Sequence, residues 1–272
     1  MSTFSTCTSI TRPGSPANGD VLFETDTKNV ILWDGTNWRG YASDGIPFAK
    51  GSTSADFDGS DDYISIADAE NLSFGDGSSD SPFSITAWIK PDASLGGFRI
   101  VSKSDASNAE YVFSTDGSGN LRVWICDSIF SNAIGQVTSG GLTADTWQHV
   151  AMTYSGSGAS LGIKLYINNA AASHTDSSTG SYTAMENHLM DVDIGRLVLS
   201  SSSSYATGHM DDVAIIGKEL STTELSSIYN SNSYPVETVS LYRFEGDATD
   251  AKGSNNGTGQ NGVVLNSTDV RS

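Results

Sequence analysis

The stretch Gly208–Asn230, GHMDDVAIIGKELSTTELSSIYN, decides the fold of this chain. Its first half predicts a strand, with His209, Asp211, Val213 and Ile215 on one face and Met210, Asp212, Ala214 and Ile216 on the other. Gly217 ends the strand. Ser221 and Glu224 then have the spacing of a capping box, which predicts a short helix. One helix after a long series of strands indicates a mostly β protein.

Composition supports this interpretation. The chain has 272 residues, of which 37% are hydrophobic and 9% aromatic, enough for one large domain and a smaller unit. Serine, glycine, threonine and aspartate separate short apolar runs, a pattern that favours strands joined by turns. The 32 acidic and 14 basic residues give a formal charge of −18. Such a chain repels phosphate, so we expect it to bind neither nucleic acid nor an anionic membrane.

The first residues indicate no targeting segment. They lack a basic start followed by an apolar core, so we expect no signal peptide. No run approaches the roughly 20 apolar residues of a membrane span. The two cysteines, Cys7 and Cys126, indicate neither a disulfide framework nor a zinc site.

Residues 1–45 predict a separate β module, followed by a linker at residues 46–54. Its expected strands are Asp20–Glu24, Val30–Trp33 and Asn37–Tyr41. Strands this short bury little surface, and a core alone is marginal below about 70 residues. We therefore expect five apolar residues to dock on a partner subunit, a second copy of this chain or the large domain: Leu22, Phe23, Ile31, Trp33 and Trp38.

Residues 55–272 predict an antiparallel β-sandwich built from about a dozen short strands. The clearest alternation is in Phe83–Lys90, where every second residue is apolar. The expected strands are, in order, Ala55–Phe57, Tyr63–Ile66, Phe83–Lys90, Arg99–Lys103, Tyr111–Thr115, Leu121–Cys126, Trp147–Tyr154, Ile163–Asn168, Asp191–Leu199, the strand that follows Gly208, and Thr238–Phe244.

Several segments of this region resemble one family. FDGSDDYISI (57–66), PFSITAWIKPD (82–92), TWQHVAMTYSG (146–156), KLYINNA (164–170) and DIGR (193–196) occur in the order expected of laminin-G-like and pentraxin-like domains. Gly208–Asn230 resembles the closing signature of the same domains. The resemblance implies an all-β, concanavalin A-like lectin fold, a jelly-roll sandwich with one short helix in its C-terminal region.

One further segment of the family occupies an unusual position. Residues 239–262 resemble a segment that commonly precedes the FDG strand in the family, but here they follow the helix. The first and last strands of such a sandwich are neighbours, so we expect either order to close the sheet.

The N-terminal module resembles a different group of proteins. Its Arg-Pro pair at Arg12, the pattern Pro-x-x-Gly-Asp at Pro16, Thr-Asp-Thr at Thr25 and Trp-Asp-Gly-x-x-Trp at Trp33 are similar to N-terminal modules of tailed-phage virion proteins, especially those of marine phages. The resemblance implies a virion accessory protein, either a capsid decoration or a tail or fibre component. The alternative interpretation of these motifs is that residues 1–45 form a β-hairpin appendage with no link to virions.

Two functions follow as alternatives. In the first, the protein is assembled in the host cytoplasm, docks on other virion proteins as a homo-oligomer, and displays its lectin-like sandwich on the particle surface to cell-surface glycans. In the second, it is a bacterial extracellular carbohydrate-binding protein. The missing signal peptide favours the virion.

The sequence predicts no enzymatic activity. Glycanases on concanavalin-type sandwiches carry two carboxylates that flank the glycosidic bond. The nearest match is Met190–Gly195, where Asp191 and Asp193 share a face but both glutamate positions of the motif are absent. Trp147 is expected in the core. Trp88 and Trp124 are either sugar-stacking or sheet residues, and no glycan-binding residue is assigned.

Three aspartates are candidate calcium ligands, Asp211, Asp247 and Asp250. Members of the family that this region resembles often bind calcium near such loops. Ca²⁺ takes about six to eight oxygen ligands. The alternative is that these carboxylates only cap turns by accepting backbone N–H groups. The acidic charge as a whole also fits simple solubility.

Overall fold

The computed structural model describes residues 5–7, 14–15, 21–24, 29–33, 38–41, 53–93, 95–128, 130–200 and 202–271. Up to residue 41, side chains are described for residues 14, 15 and 22. The chain divides into two compact units, Met1–Lys50 with Ser226–Tyr234, and Gly51–Leu225 with Pro235–Ser272. Within the described ranges, no helix has the length and apolar character needed to cross a membrane.

The first unit contains a four-stranded sheet of β1 (Ser5–Cys7), β2 (Val21–Glu24), β3 (Asn29–Trp33) and β4 (Trp38–Tyr41), in that order. The three expected strands are confirmed. Strand β1 was not predicted, and it pairs in parallel with β2. Of the predicted docking residues, Leu22 is buried. The side chains of Phe23, Ile31, Trp33 and Trp38 lie outside the described residues. Docking, and the domain boundaries at residues 45 and 55, therefore stay predictions.

The second unit is a sandwich of two antiparallel sheets. Its strands are β5 (Ser54–Asp58), β6 (Tyr63–Ile66), β7 (Phe83–Pro91), β8 (Arg99–Ser104), β9 (Ala109–Thr115), β10 (Asn120–Cys126), β11 (Ala133–Gly141), β12 (Gln148–Tyr154), β13 (Ile163–Ile167), β14 (Ala170–Ala171), β15 (His174–Asp176), β16 (Val192–Ile194), β17 (Arg196–Leu199), β18 (Ser202–Tyr205), β19 (Thr207–Ile216), β20 (Thr238–Tyr242), β21 (Gly257–Gln260) and β22 (Val264–Ser267).

Two sheets face each other across the core. The front sheet has the order β15-β11-β10-β9-β8-β16-β6-β21, and the back sheet has the order β14-β13-β12-β7-β19-β5-β22 with β20 beside β19. Strands β17 and β18 form a separate hairpin. The predicted all-β sandwich is confirmed.

The apolar core lies between the two sheets. On β7 the inward side chains are Phe83, Ile85, Ala87 and Ile89, as the alternation predicts, and on β10 they are Leu121, Val123 and Ile125. Phe83 stacks on Phe74 with ring centroids 4.4 Å apart and meets Tyr154 edge-on at 5.9 Å. Each such side chain contributes about 1.5–3 kcal/mol through its removal from water.

A β-bulge interrupts β19 at the Asp pair. The pairing of β19 with β7 shifts between Asp211 and Ala214, and Asp212 has a φ of +47°. The core includes Met210 and also Val213, so the strict alternation predicted for this strand is wrong beyond Asp211. A bulge adds one residue to one strand, which reverses the faces that follow it. As a result, both carboxylates lie outside the core.

Gly195 divides the segment predicted as one strand, Asp191–Leu199, into β16 and β17. Its φ is +88°, and a Cβ atom there would lie 2.4 Å from the ring of Phe57. Glycine alone tolerates both conditions without strain. The prediction of one continuous strand is therefore wrong, because the chain leaves the front sheet at this residue.

The C-terminal segment closes both sheets. Strand β22 pairs with β5, and β21 pairs with β6, both antiparallel. The expectation that the last strands join the first is confirmed, although the sequence did not predict β21, β22 or the nine-residue strand β11. The helix α1 (Thr222–Ser231) begins as predicted. Ser221 Oγ accepts from the N–H of Glu224 at 3.3 Å, and a carboxylate oxygen of Glu224 accepts from the N–H of Ser221 at 2.9 Å.

Candidate functional site

The outer face of the back sheet is covered by the end of the chain. Arg271 forms an ion pair with Asp212, and its guanidinium carbon lies 4.9 Å from the centre of the Trp88 ring. Asp269 accepts a hydrogen bond from Trp147 Nε1 at 3.0 Å. Trp147 is half-buried under this tail and is not part of the core, so the prediction of a core position is wrong. The end of the chain therefore covers the part of this face around Trp88, Trp147 and the Asp pair.

The outer face of the front sheet is covered at one side, by the hairpin of β17 and β18. Ser102 of β8 donates to the carbonyl of Arg196 at 2.7 Å, and Ser104 donates to the carbonyl of Val198 at 3.2 Å. The hairpin therefore lies over β8 and bounds one side of a groove in which Arg99, Arg122 and Trp124 are partly exposed, above the buried side chains of β9. We call this the outer groove and define it by five outward-facing residues: Arg99, Val112, Ser114, Arg122 and Trp124.

Strand register places these residues in two rows. Arg99 lies opposite Ser114, and Ser114 lies opposite Arg122, so the three form a line across β8, β9 and β10. With about 4.8 Å between strands, the backbones of the two arginines are about 10 Å apart. In the next row Val112 lies opposite Trp124. The groove thus places cationic groups directly beside an aromatic ring.

Aromatic side chains continue the groove. The guanidinium carbon of Arg122 lies 4.1 Å from the centre of the Trp124 ring, a cation–π contact. Trp124 packs against Phe130 with ring centroids 5.4 Å apart. Phe130 in turn lines a cavity of about 450 Å³ together with Asn108 and Leu199. Phe130 therefore connects the aromatic side of the groove with the lining of this cavity, and mixed polar and aromatic surfaces are typical of ligand sites.

The polar groups of the groove are incompletely paired. Three buried atoms have no hydrogen-bond partner among the described residues: Ser114 Oγ, Arg122 Nε and Trp124 Nε1. Burial, and to a smaller extent the charge of Arg122, lowers the pKa of Arg99 to about 10. Burial also lowers the pKa of Arg122, against the opposing charge of Asp116. The fold therefore holds two guanidinium groups close together, and each loses part of its favourable hydration free energy.

The predicted metal ligands lie in separate hydrogen-bond networks. Asp250 accepts three backbone N–H groups at 2.9–3.1 Å. Asp247 accepts the N–H of Thr249 at 2.9 Å, whereas Asp211 lies 3.8 Å from the guanidinium of Arg271. These three carboxylates do not converge on one point within the described part of the chain.

A different cluster of three aspartates does bring its carboxylates together. Carboxylate oxygens of Asp58, Asp61 and Asp62 lie within 4.8 Å of one another. Burial, and to a smaller extent the carboxylates of Asp58, Asp61 and Asp56, raises the pKa of Asp62, while a backbone hydrogen bond from Asp58 opposes the shift. Hard cations such as Ca²⁺ prefer carboxylate oxygens of this kind. Calcium binding, here or at the predicted residues, stays a prediction.

The carboxylates nearest to a glycanase motif make structural contacts. Asp193 is buried and accepts from Arg196 Nε at 2.7 Å, and burial raises its pKa to about 6. Asp191 accepts from Ser65 at 2.9 Å. Through these contacts both side chains join neighbouring segments of the chain.

The residues of the outer groove were not assigned from the sequence. The sequence fits Trp124 as either a sugar-stacking or a sheet residue, and its local patterns single out neither the two arginines nor Ser114. One signal was present. Arg122 and Trp124 alternate with buried Leu121, Val123 and Ile125, and this marks an outer face that carries unusual residues for a chain poor in cations.

Comparisons with known proteins agree on the fold. The family model described as the concanavalin A-like lectin/glucanases superfamily matches residues 58–226. A search of curated protein sequences gives no match. A protein from Bacteroides ovatus that is described as carbohydrate-binding from its likeness to others, without a ligand in its description, is similar in structure, with a TM-score of 0.56 and 19% sequence identity. The alignment covers 79% of this chain and 60% of that protein, so this chain corresponds to a little over half of it.

Two further solved structures are similar at lower scores. The heptameric pentraxin of Limulus polyphemus has a TM-score of 0.45 and 15% identity, with 75% of this chain and 94% of that chain covered. Domain 4 of an extracellular arabinanase from Geobacillus stearothermophilus, in complex with arabinotriose, has a TM-score of 0.42 and 14% identity, with 83% and 86% covered.

Proposed function

The chain belongs to the concanavalin A-like lectin/glucanase superfamily, and we propose that it is a carbohydrate-binding protein whose outer groove takes the glycan. One observation carries the proposal. Trp124 is partly exposed beside hydrogen-bonding groups that lack partners among the described residues. A sugar ring offers an apolar face and many hydroxyl groups, and this surface complements both. The fold shared with the Bacteroides ovatus protein, which is described as carbohydrate-binding, supports the assignment.

The proposed activity is binding without hydrolysis. Asp193 is engaged by Arg196 and lies beneath the surface, so it is poorly placed to protonate or attack a glycosidic bond. In the outer groove, the five defining residues include no carboxylate. Superfamily membership by itself is compatible with either activity, so the proposal depends on these side chains.

Replacement of Trp124 with alanine is expected to weaken glycan binding by about 30-fold, the usual effect when a central aromatic residue is removed from an interface, at about 2 kcal/mol. Binding is measured on a glycan array and then by calorimetry with the best ligand. Trp147→Ala, which removes a half-buried tryptophan from the opposite outer face, is the matched control. Equal binding by both variants, or release of reducing sugar by the wild-type protein, contradicts the proposal.

We also propose that the protein is a virion component, attached by its N-terminal unit and presenting the sandwich outward on the particle surface. The motif from Arg12 to Trp38, with its resemblance to phage virion modules, supports this assignment. The alternative is a bacterial extracellular carbohydrate-binding protein, which requires the same outer groove and no particle. Partners on the virion and assembly as a homo-oligomer belong to the same proposal.

Deletion of residues 1–45 distinguishes the two alternatives. We expect the truncated protein to keep glycan binding, because the outer groove lies wholly within the second unit, and to be lost from purified particles. Particle content is measured by mass spectrometry of virions, with melting of the truncated protein as the check on folding. Incorporation at the wild-type level contradicts attachment through the N-terminal unit.

A further inference from the structure

The two arginines of the outer groove are unusual in so acidic a chain. With 32 acidic and 14 basic residues, most cations are expected to find a carboxylate. Among the described residues, however, the ion pairs closer than 4.0 Å involve other cations, such as Lys103 with Glu110 at 3.1 Å. Arg99 donates instead to Ser204 Oγ at 2.9 Å and to the carbonyl of Thr115 at 3.4 Å.

Both arginines are held in place before any ligand binds. Ser204 belongs to the covering hairpin, so the hydrogen bond from Arg99 fixes that guanidinium at the wall of the groove. The ring of Trp124 fixes Arg122 from below at 4.1 Å. Each guanidinium still has donors to spare, since the group carries five N–H bonds in a planar fork. Fixed donors of this kind lose little entropy when a ligand binds.

Between the two arginines lies a hydroxyl group without a partner. Ser114 is buried, and its Oγ has no hydrogen bond within the described residues. Arg122 Nε and Trp124 Nε1, on the adjoining strand, are in the same condition. A buried polar group without a partner costs about 1–3 kcal/mol. Three such atoms on one patch, all able to donate, match a ligand rich in acceptors.

We propose that the outer groove selects glycans that carry a carboxylate, such as uronic or sialic acids, by placing the carboxylate over Ser114 between Arg99 and Arg122. This inference rests on the proposed function, because it specifies which glycans that groove takes. Planar guanidinium groups match the planar carboxylate in two parallel hydrogen bonds. The sugar ring then extends along β10 toward Trp124, Phe130 and the cavity of about 450 Å³.

The overall charge of −18 does not oppose this selection at short range. Charges beyond about 8 Å are screened at physiological ionic strength. Near the groove, Asp116 is the carboxylate that acts on Arg122, and the charge that acts on Arg99 is Arg122 itself. A single carboxylate is therefore attracted locally, while a polyanion such as nucleic acid is repelled by the rest of the molecule.

Matched pairs of ligands test the inference on the full-length protein. Calorimetry compares 3′-sialyllactose with lactose, and trigalacturonate with its methyl ester. We expect the acid of at least one pair to bind roughly tenfold to hundredfold more tightly, the range of one or two charge-assisted hydrogen bonds. Arg99→Gln and Arg122→Gln are each expected to remove most of that preference. Arg122→Lys keeps the charge and the stem but not the fork, so it is expected to retain part of the preference.

Lys252→Gln, which removes an exposed cation outside the groove, is the control for charge alone. Melting curves establish whether each variant is folded. If Arg122→Gln does not fold, Arg122→Lys still tests the contribution of Arg122. Equal binding of acid and neutral ligands overturns the inference and leaves the proposed function standing. Acid preference that survives both glutamine variants places the site elsewhere and also overturns it. A lack of binding to every glycan tested overturns both.

Discussion

Replacement of Arg271 with methionine is expected to lower the free energy of unfolding by about 3–5 kcal/mol, the usual cost of leaving a buried charge without its partner. Arg271 is 5% exposed, and both Asp211 and Asp212 are 1% exposed. Burial, and next the charge of Asp212, raises the pKa of Asp211 well above its usual value, while Arg271 opposes the shift. Without the guanidinium, two carboxylates share one dry site.

Urea unfolding and thermal melting measure this effect. In a domain of this size about 3–5 kcal/mol corresponds to a fall in Tm of roughly 6–20 °C. Lys252→Met, at an exposed cation in the same C-terminal region, is expected to change stability by less than about 0.5 kcal/mol. The triple variant R271M/D211N/D212N should recover much of the loss, because it removes the unpaired charges. Wild-type stability in Arg271→Met would show that the tail does not hold the Asp pair.

Acid is expected to destabilise the fold strongly through His149. This side chain is 1% exposed in β12, where its ring meets Trp88 edge-on with centroids 5.3 Å apart. Burial, and next the charge of Arg271, lowers the pKa of His149 from 6.5 to about 3. The unfolded chain therefore binds a proton more readily than the folded chain between these values. Stability is fully present above pH 6.5 and falls as the pH drops toward about 3.

The expected loss is up to about 5 kcal/mol at pH 3, at about 1.4 kcal/mol for each unit of pKa difference. Asp193 acts in the opposite direction, since its pKa is raised from 3.8 to about 6 and its proton favours the folded state in that range. The comparison that isolates His149 is therefore between wild type and His149→Gln, by urea unfolding at several pH values.

We expect His149→Gln to be less stable at neutral pH but to lose less stability in acid. Met152→Leu, a core change on the same strand without a titrating group, should lower stability by a constant amount at every pH. Parallel pH profiles for the wild type and His149→Gln would contradict the assignment of the acid effect to this residue.

The outer groove marks the limit of what local patterns predict. Alternation in β7 identifies which residues face the core, because a strand exposes every second side chain to each side. The same rule indicates that Arg122 and Trp124 face outward. It does not indicate that Arg99, 23 residues earlier in the sequence, lies in line with them, since that depends on how β8 and β9 pair.

The Asp pair is a second feature that local sequence patterns do not predict. Its sequence fits an uninterrupted strand and a calcium ligand equally well. Two features depend on tertiary structure. One is the bulge at Asp212, where φ is positive, and the other is the ion pair that Arg271, near the end of the chain, forms with Asp212. No short window of sequence contains Asp211 and Arg271 together, so the buried ion pair was not predictable from it.

The sequence by itself determined the fold class, most strand positions, the capped helix and the family, because these depend on alternation, turn residues and ordered motifs within short segments. Tertiary structure alone decided three features. They are the interruption of the strand at Gly195, which lies against the ring of Phe57, the reversal of strand faces at Asp212, and the row of Arg99, Ser114 and Arg122. Each depends on contacts between residues far apart in the chain, and pairing energies of this kind are fixed only when the sheets close.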